Sequence, residues 1–173
     1  ALRDRIRALT QVQSSQGINP RGVAEADVIA LHMEGGQACV QVFFIRAHQN
    51  WGNRDFYPRT GAGAGEAEVL QAFIGQFYDQ KEPPRLLLLS HPIEDLDLMA
   101  EALSLRAGHK VALNAPKRGE KRKLVDHARA NAETALARRM AESASHRRLL
   151  EGVAELGGWL PPNRLPWIQR APR

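Results

Sequence analysis

Cysteine is nearly missing from this 173-residue sequence, Cys39 being the single one. An intramolecular disulfide framework and a multi-cysteine zinc site are therefore excluded, and the usage fits a reducing compartment. Long apolar runs are missing as well. Nothing reaches the roughly 18 consecutive apolar residues of a membrane span. The opening Ala1-Leu2-Arg3-Asp4-Arg5 carries no hydrophobic leader core, so a cytoplasmic protein without a membrane partner is expected. The six histidines (His32, His48, His91, His109, His127, His146) show no metal-ligand spacing such as His-Glu-x-x-His. What is present is ordinary for a globular domain: 43% hydrophobic and 25% charged residues. The length suffices for one full domain burying about 70% of its unfolded surface.

The charge, by contrast, is unevenly placed. Between Arg106 and Arg148 lie twelve Lys and Arg residues against four acids, an excess larger than the net +5 of the whole chain. The remainder is therefore net acidic. The densest stretch is Lys117-Arg118-Gly119-Glu120-Lys121-Arg122-Lys123. Such a run attracts an anionic polymer through sequence-independent, salt-sensitive phosphate contacts. A solvated helix face kept soluble by its charges is the alternative reading.

The hydrophobic pattern divides the chain into elements. Leu2, Ile6 and Leu9 recur at helical spacing, and residues 14–22, with Gly17 and Asn19-Pro20, read as a linker. Asp27 to Met33 is an apolar run stopped by Glu34-Gly35-Gly36, a hairpin signal. Ala38 to Arg46 is β-branched and aromatic, a strong strand. A loop over Ala47 to Gly52 then leads to a third strand near Asn53 to Tyr57. Beyond the Gly61-Ala62-Gly63-Ala64-Gly65 connection the period becomes helical, with Val69, Leu70, Phe73, Ile74 and Phe77 on one face. Leu86-Leu87-Leu88-Leu89 lacks alternation and reads as a strand buried on both faces. A helix through Leu96, Met99 and Leu103 closes at Gly108, a C-cap signal, and Lys110 to Leu113 is a short fifth strand. A long helix begins near Glu120 and carries Leu124, Val125, Ala128, Ala132, Leu136 and Met140 onward to Leu149, Leu150 and Val153.

The order βββ-α-β-α-β-α predicts an α/β fold: a ribonuclease H-like mixed five-stranded sheet flanked by helices, ending in a long C-terminal helix. Nucleases of that topology hold two divalent metals with carboxylates at the carboxyl ends of the first and fourth strands and on nearby helices. Hard Mg²⁺ needs those oxygen ligands. Here the first strand, read from Val28 to Met33, carries no inward Asp, and the fourth ends Leu89-Ser90-His91-Pro92. Glu34 lies in a turn, and Glu66 and Glu68 open a helix whose dipole favours acids anyway. No metal site and no catalytic residue are therefore expected, and a residual metal nuclease using Glu34, Glu66 or Glu68 is the rival reading.

The glycine-rich connection at 61–65 lacks the Lys-Ser/Thr of a P-loop and reads as a strand-to-helix link. Cys39, in an apolar strand without an adjacent base, reads as a buried thiol. Glu94, Asp95 and Asp97 sit at a helix start, where capping explains them. Trp51, among Asn50, Asn53 and Arg54, is either a packed indole or a stacking surface for a base or sugar.

Three segments resemble the UvrC family, the incision proteins of the excinuclease ABC system. They are Ala26 to Ala30 with Gly35-Gly36-Gln37-Ala38-Cys39-Val40-Gln41-Val42-Phe43-Phe44-Ile45-Arg46; Gly52-Asn53-Arg54-Asp55-Phe56-Tyr57-Pro58; and Pro116 to Lys121 running through Leu124-Val125 to Ala130-Asn131-Ala132. The similarity covers roughly residues 1–156. It implies that residues 1–13 are the end of the helical motif through which that family contacts the helicase UvrB, with Leu2, Arg5 and Ile6 as partner contacts. It further implies that residues 23–156 are a ribonuclease H-like domain in the central region of such a protein, ahead of the family's C-terminal nuclease domain. The Asp-x-Ser-His signature of that nuclease domain does not occur here, so Mg²⁺ is expected only there and no cofactor is expected in this chain. Residues 157–173 depart from the family as a Pro-rich tail.

The expected function follows: a DNA- and partner-positioning domain of nucleotide excision repair, with incision performed elsewhere. Lys117, Arg118, Lys121, Arg122 and Lys123 are the expected phosphate contacts, with Arg46 and Arg54 as secondary ones. A scaffold whose basic helix docks on an acidic protein surface is the remaining alternative.

Overall fold

The computed structural model describes residues 20–157. Five strands form one mixed sheet: β1 (Glu25–Glu34), β2 (Gln37–Arg46), β3 (Gln49–Phe56), β4 (Leu86–Leu89) and β5 (Ala112–Asn114). Three helices accompany them: α1 (Glu66–Phe77), α2 (Leu96–Ala107) and α3 (Gly119–Gly157). The strand order is β3-β2-β1-β4-β5. The first three strands form an antiparallel meander, and β4 and β5 join in parallel through the helical crossovers. This is the βββ-α-β-α-β-α order that the hydrophobic pattern predicts.

The pleat assigns the core. Ile29 and Leu31 of β1, Val40 and Val42 of β2, and Leu87 and Leu89 of β4 face one side, where Leu70, Phe73, Ile74 and Phe77 of α1 and Leu103 of α2 cover them. Val28, Ala30, Phe43, Ile45 and Leu88 face the other side, against Leu124, Val125 and Ala128 of α3. Burial on both faces explains why β1 and β4 read as unbroken apolar runs. Cys39 is fully buried, as a core thiol.

The turns show which local signals hold. Gly35 and Gly36 close the first hairpin with φ of 57° and 74°, a conformation that glycine adopts at no steric cost. Gly108 caps α2 in the left-handed region and donates its N–H to Ser104 O at 3.0 Å. Asp95 is the N-cap of α2 but makes no side-chain capping hydrogen bond.

Three boundaries differ from the expectation. The segment at 47–52 is no loop, because Ala47 and His48 take positive φ (50° and 61°) and make a two-residue turn without any glycine. Strand β3 therefore starts at Gln49, and its register shifts where Ile45 pairs with Asn50 and Phe44 with Gly52. Trp51 is the extra residue of that bulge and is 72% exposed, so the packed-indole reading is wrong. Strand β1 starts at Glu25 and so includes Asp27, which points inward. The fifth strand is Ala112–Asn114 rather than 110–113, because Val111 N–H is taken by Ser104 Oγ at 2.8 Å.

The described residues divide into two units, 20–136 and 137–157. In the second, Leu149, Leu150 and Val153 of α3 are exposed. Among the described residues no helix is long and apolar enough to cross a membrane. The expected partner contacts Leu2, Arg5 and Ile6, most of the 14–22 linker, and residues 158–173 lie outside the described residues.

Candidate nucleic-acid interface

In an open α/β sheet the ligand crevice lies beyond the carboxyl ends of the strands, at the point where strand order reverses. Here that point lies between β1 and β4, which pair only over three residues, Asp27 to Ile29 with Leu87 to Leu89. Where the ladder ends, Ser90 replaces it. Ser90 N–H donates to Ile29 O at 3.1 Å, and Ser90 Oγ accepts Leu31 N–H at 2.9 Å. The same hydroxyl lies 2.8 Å from His91 Nδ1, and His91 Nε2 lies 3.0 Å from Glu66 Oε2 at the start of α1. With Ser90 Oγ accepting from Leu31, its proton is directed to Nδ1, which leaves the Nε2 proton for Glu66. Burial lowers the His91 pKa from its usual value, the Glu66 carboxylate opposes this, and the positive charges of Arg129 and Arg122 add to the lowering.

These donors do not suit a two-metal centre. Magnesium wants several oxygen ligands, whereas the crevice offers one hydroxyl, one imidazole and one carboxylate already hydrogen-bonded, with two guanidinium groups acting on them. Among the described residues, no group of three or more His, Cys, Asp or Glu side chains could hold a metal ion. Glu34 lies at the hairpin end of β1, 3.5 Å from His32 Nε2, and Glu68 lies farther along α1 beside Glu94 and Asp95. Neither joins Glu66 in a cluster.

The buried carboxylate of β1 lies near the strand's amino end, level with Leu87 of β4. Asp27 accepts from Tyr78 Oη at 2.6 Å and from Arg46 Nη1 at 2.9 Å. Burial raises the Asp27 pKa, against the pull of the Tyr78 hydrogen bond and the Arg46 charge. Burial likewise pushes the Tyr78 phenol well above its ordinary range, and the neighbouring Asp27 charge adds to this. The first strand thus does carry an inward Asp, contrary to the sequence reading, but at its amino end and fully partnered. Sequence reading missed it because an acid opening an apolar run looks like a strand flank.

The basic run gathers where β5 leads into α3, beside the Gly22–Val23 segment that precedes β1. Gly119 adopts φ of 81° and turns the chain into the helix. A pocket of about 600 Å³ opens there, lined by Lys117, Arg118 and Lys121, by the acid Glu120, and by Asn114, Ala115, Pro116, Gly22 and Val23. Lys117 and Arg118 are exposed, and Lys121 is half-buried. Arg122 is engaged: its Nε meets Asp126 at 2.8 Å and its Nη1 reaches Pro116 O at 3.4 Å. Lys123 is exposed on the next helical position and does not line the pocket. Glu120, the acid inside the run, accepts Arg21 N–H at 2.9 Å and Gly22 N–H at 3.1 Å.

The two secondary candidates lie elsewhere. Arg46 ends β2 and binds Asp27, Glu25 and the Ala26 carbonyl. Arg54 lies on edge strand β3, its guanidinium 5.8 Å from the centre of the Phe56 ring. Strands β3 and β5 are the two outer strands of the sheet, so the structure does not bring Arg54 to the basic pocket.

Residues 25–139 match the family model described as the UvrC ribonuclease H-like domain. The chain belongs to the UvrC family. It is 72% identical over 155 residues to UvrABC system protein C of Cereibacter sphaeroides, covering 90% of this chain and 25% of that protein. The homologue of Jannaschia sp. is 68% identical over 166 residues, 95% of this chain and 26% of the relative. That of Brucella abortus is 55% identical over 171 residues, 99% and 26% respectively. The chain thus spans about a quarter of the length of the curated UvrC proteins it matches. The family match begins at β1 and ends within α3, so the whole sheet, the Ser90–His91–Glu66 crevice and the cationic residues of the basic pocket fall inside the UvrC ribonuclease H-like domain.

Proposed function

We propose that this UvrC domain grips the phosphate backbone of DNA with the cations gathered where β5 leads into α3, and that it performs no incision itself. One observation carries the reading: Lys117, Arg118 and Lys121 line one pocket where β5 leads into α3, and Glu120, the acid that shares it, is tied to two backbone amides. Phosphate contacts of this kind fix register and orientation without reading sequence. The donor set of the switch-point crevice supports the same reading, since Ser90, His91 and Glu66 form a closed hydrogen-bond chain flanked by arginine charge. Within the UvrABC system the domain then holds DNA for incision carried out by other parts of the protein, next to a UvrB-like helicase partner engaged through residues 1–13.

The favoured contact set narrows to Lys117, Arg118 and Lys121, because Arg122 is bound to Asp126 and Arg46 to Asp27. Binding of the 173-residue chain to duplex DNA, measured by fluorescence anisotropy at low salt, tests it. The triple variant K117A/R118A/K121A is expected to bind at least tenfold more weakly, with chelator leaving the parent's affinity unchanged. Equal affinity in parent and variant would refute the assignment. Cleavage of DNA by the parent chain, lost on Glu34→Gln or Glu66→Gln, would establish the nuclease instead.

A further inference from the structure

Arg21 lies 99 residues from Glu120 in sequence, in the stretch that the sequence assigns to a linker, yet its backbone reaches the first turn of α3. The Glu120 carboxylate takes the Arg21 N–H with one oxygen and the Gly22 N–H with the other, at 2.9 and 3.1 Å. Two amides on one carboxylate form a charge-assisted pair that fixes the direction of the incoming chain. The approach is close: a Cβ on Gly22 would come within 2.7 Å of Glu120 Oε2. Downstream, Val23 is buried and packs with Leu124 and Val125 of α3, so the segment is held on both sides of Gly22.

This clamp has an electrostatic consequence. An acid in the middle of a basic run ordinarily cancels one positive charge. Here the carboxylate keeps its charge but is tied to two backbone donors, and the segment it anchors brings another cation beside the pocket that Gly22, Val23 and Glu120 share with Lys117, Arg118 and Lys121. Arg21 is exposed, and among the described residues its guanidinium has no ion-pair partner.

We infer that Arg21 is a fourth phosphate contact beside the same pocket and that Glu120 is its positioning residue. The inference rests on the DNA-binding reading above and adds to it a residue and a clamp. The ligand is a backbone phosphate of DNA, bound without regard to base sequence.

A double-mutant cycle on the 173-residue chain, with duplex DNA and a salt series, tests this. Arg21→Ala is expected to reduce the slope of log K against log salt by about 0.9, the share of one phosphate contact. In an E120A background the same substitution is expected to change the slope by much less, because Arg21 is no longer held there. Simple charge counting predicts the contrary, with E120A raising affinity and Arg21→Ala costing the same in both backgrounds. That result, or a parent slope unaffected by Arg21→Ala, would overturn the inference. Amide hydrogen exchange gives an independent readout: Arg21 and Gly22 are expected to exchange slowly in the parent and fast in E120A. Gly22→Ala pushes the Glu120 carboxylate off the two amides without changing any charge and is expected to mimic the slope loss, so the test stands if E120A folds poorly. No DNA binding by the parent at any salt would defeat the underlying reading itself, and slow amides with an unchanged slope would defeat only the role of Arg21.

Discussion

Asp27 and His91 respond to pH with opposite sign. Burial lowers the pKa of His91, so the folded state holds the neutral ring and binds fewer protons than the unfolded chain. Its contribution is present above the ordinary histidine value of 6.5 and is lost as pH falls through the lower folded value. Urea unfolding of His91→Gln is therefore expected to lose less stability than the parent between pH 7 and pH 5, about the window set by an ordinary histidine pKa; identical pH profiles would contradict the buried, neutral assignment. Burial raises the pKa of Asp27, so its contribution is full below the ordinary value of 3.8 and declines as pH rises through the folded value. Arg46 and Tyr78 limit that penalty. Removing Arg46 leaves a buried carboxylate with one partner fewer, so Arg46→Ala is expected to cost about 3 kcal/mol by urea unfolding while leaving the salt slope of DNA binding unchanged. A slope that fell by one phosphate would instead make Arg46 a DNA contact. Residue-scale chemistry of this sort was only partly legible: Cys39 as core thiol was readable from its strand, but the partners of Asp27 lie 19 and 51 residues away.

At the scale of elements, hydrophobic period and turn chemistry did most of the work. The helices through Val69–Phe77 and Leu96–Leu103, the glycine hairpin at 35–36 and the Gly108 cap all occur where their local signals place them. The second hairpin does not, because its turn is built from Ala47 and His48 in a conformation that L-residues adopt only at a cost. Sheet pairing of β2 and β3 supplies what the turn residues lack, and no local signal announces that. Relief of the strain makes a prediction: Ala47→Gly is expected to stabilise the fold by about 0.5 kcal/mol, the strain removed exceeding the backbone entropy that glycine adds. Ala47→Val, β-branched at positive φ, is expected to destabilise it. Urea midpoints in the reverse order would show that the turn is not strained. The Trp51 bulge arises from the same register shift and leaves the indole in solvent on an outer strand.

At the scale of the molecule, the described residues of this ribonuclease H-like sheet carry a pocket lined by Lys117, Arg118 and Lys121 where β5 leads into α3, and no cluster of three or more acids, histidines or cysteines that could hold a metal ion. Fold class was legible because order and burial of the strands are written in the apolar pattern. The basic pocket was half legible. Lys117, Arg118 and Lys121 stood out as a run, while the division of labour within the run did not, since it depends on Asp126, Pro116 and the distant Arg21–Gly22 backbone. The lack of an acid at the end of β4 was readable at Ser90-His91, but the closed chain from Leu31 through Ser90 and His91 to Glu66 required the structure. The measurement that bears most directly on the cationic grip is the salt dependence of duplex DNA binding by the 173-residue chain and by K117A/R118A/K121A. A cationic grip predicts a steep parent slope that the triple variant reduces by about 2.7, three phosphate contacts' worth. Superimposable slopes for the two proteins would contradict it.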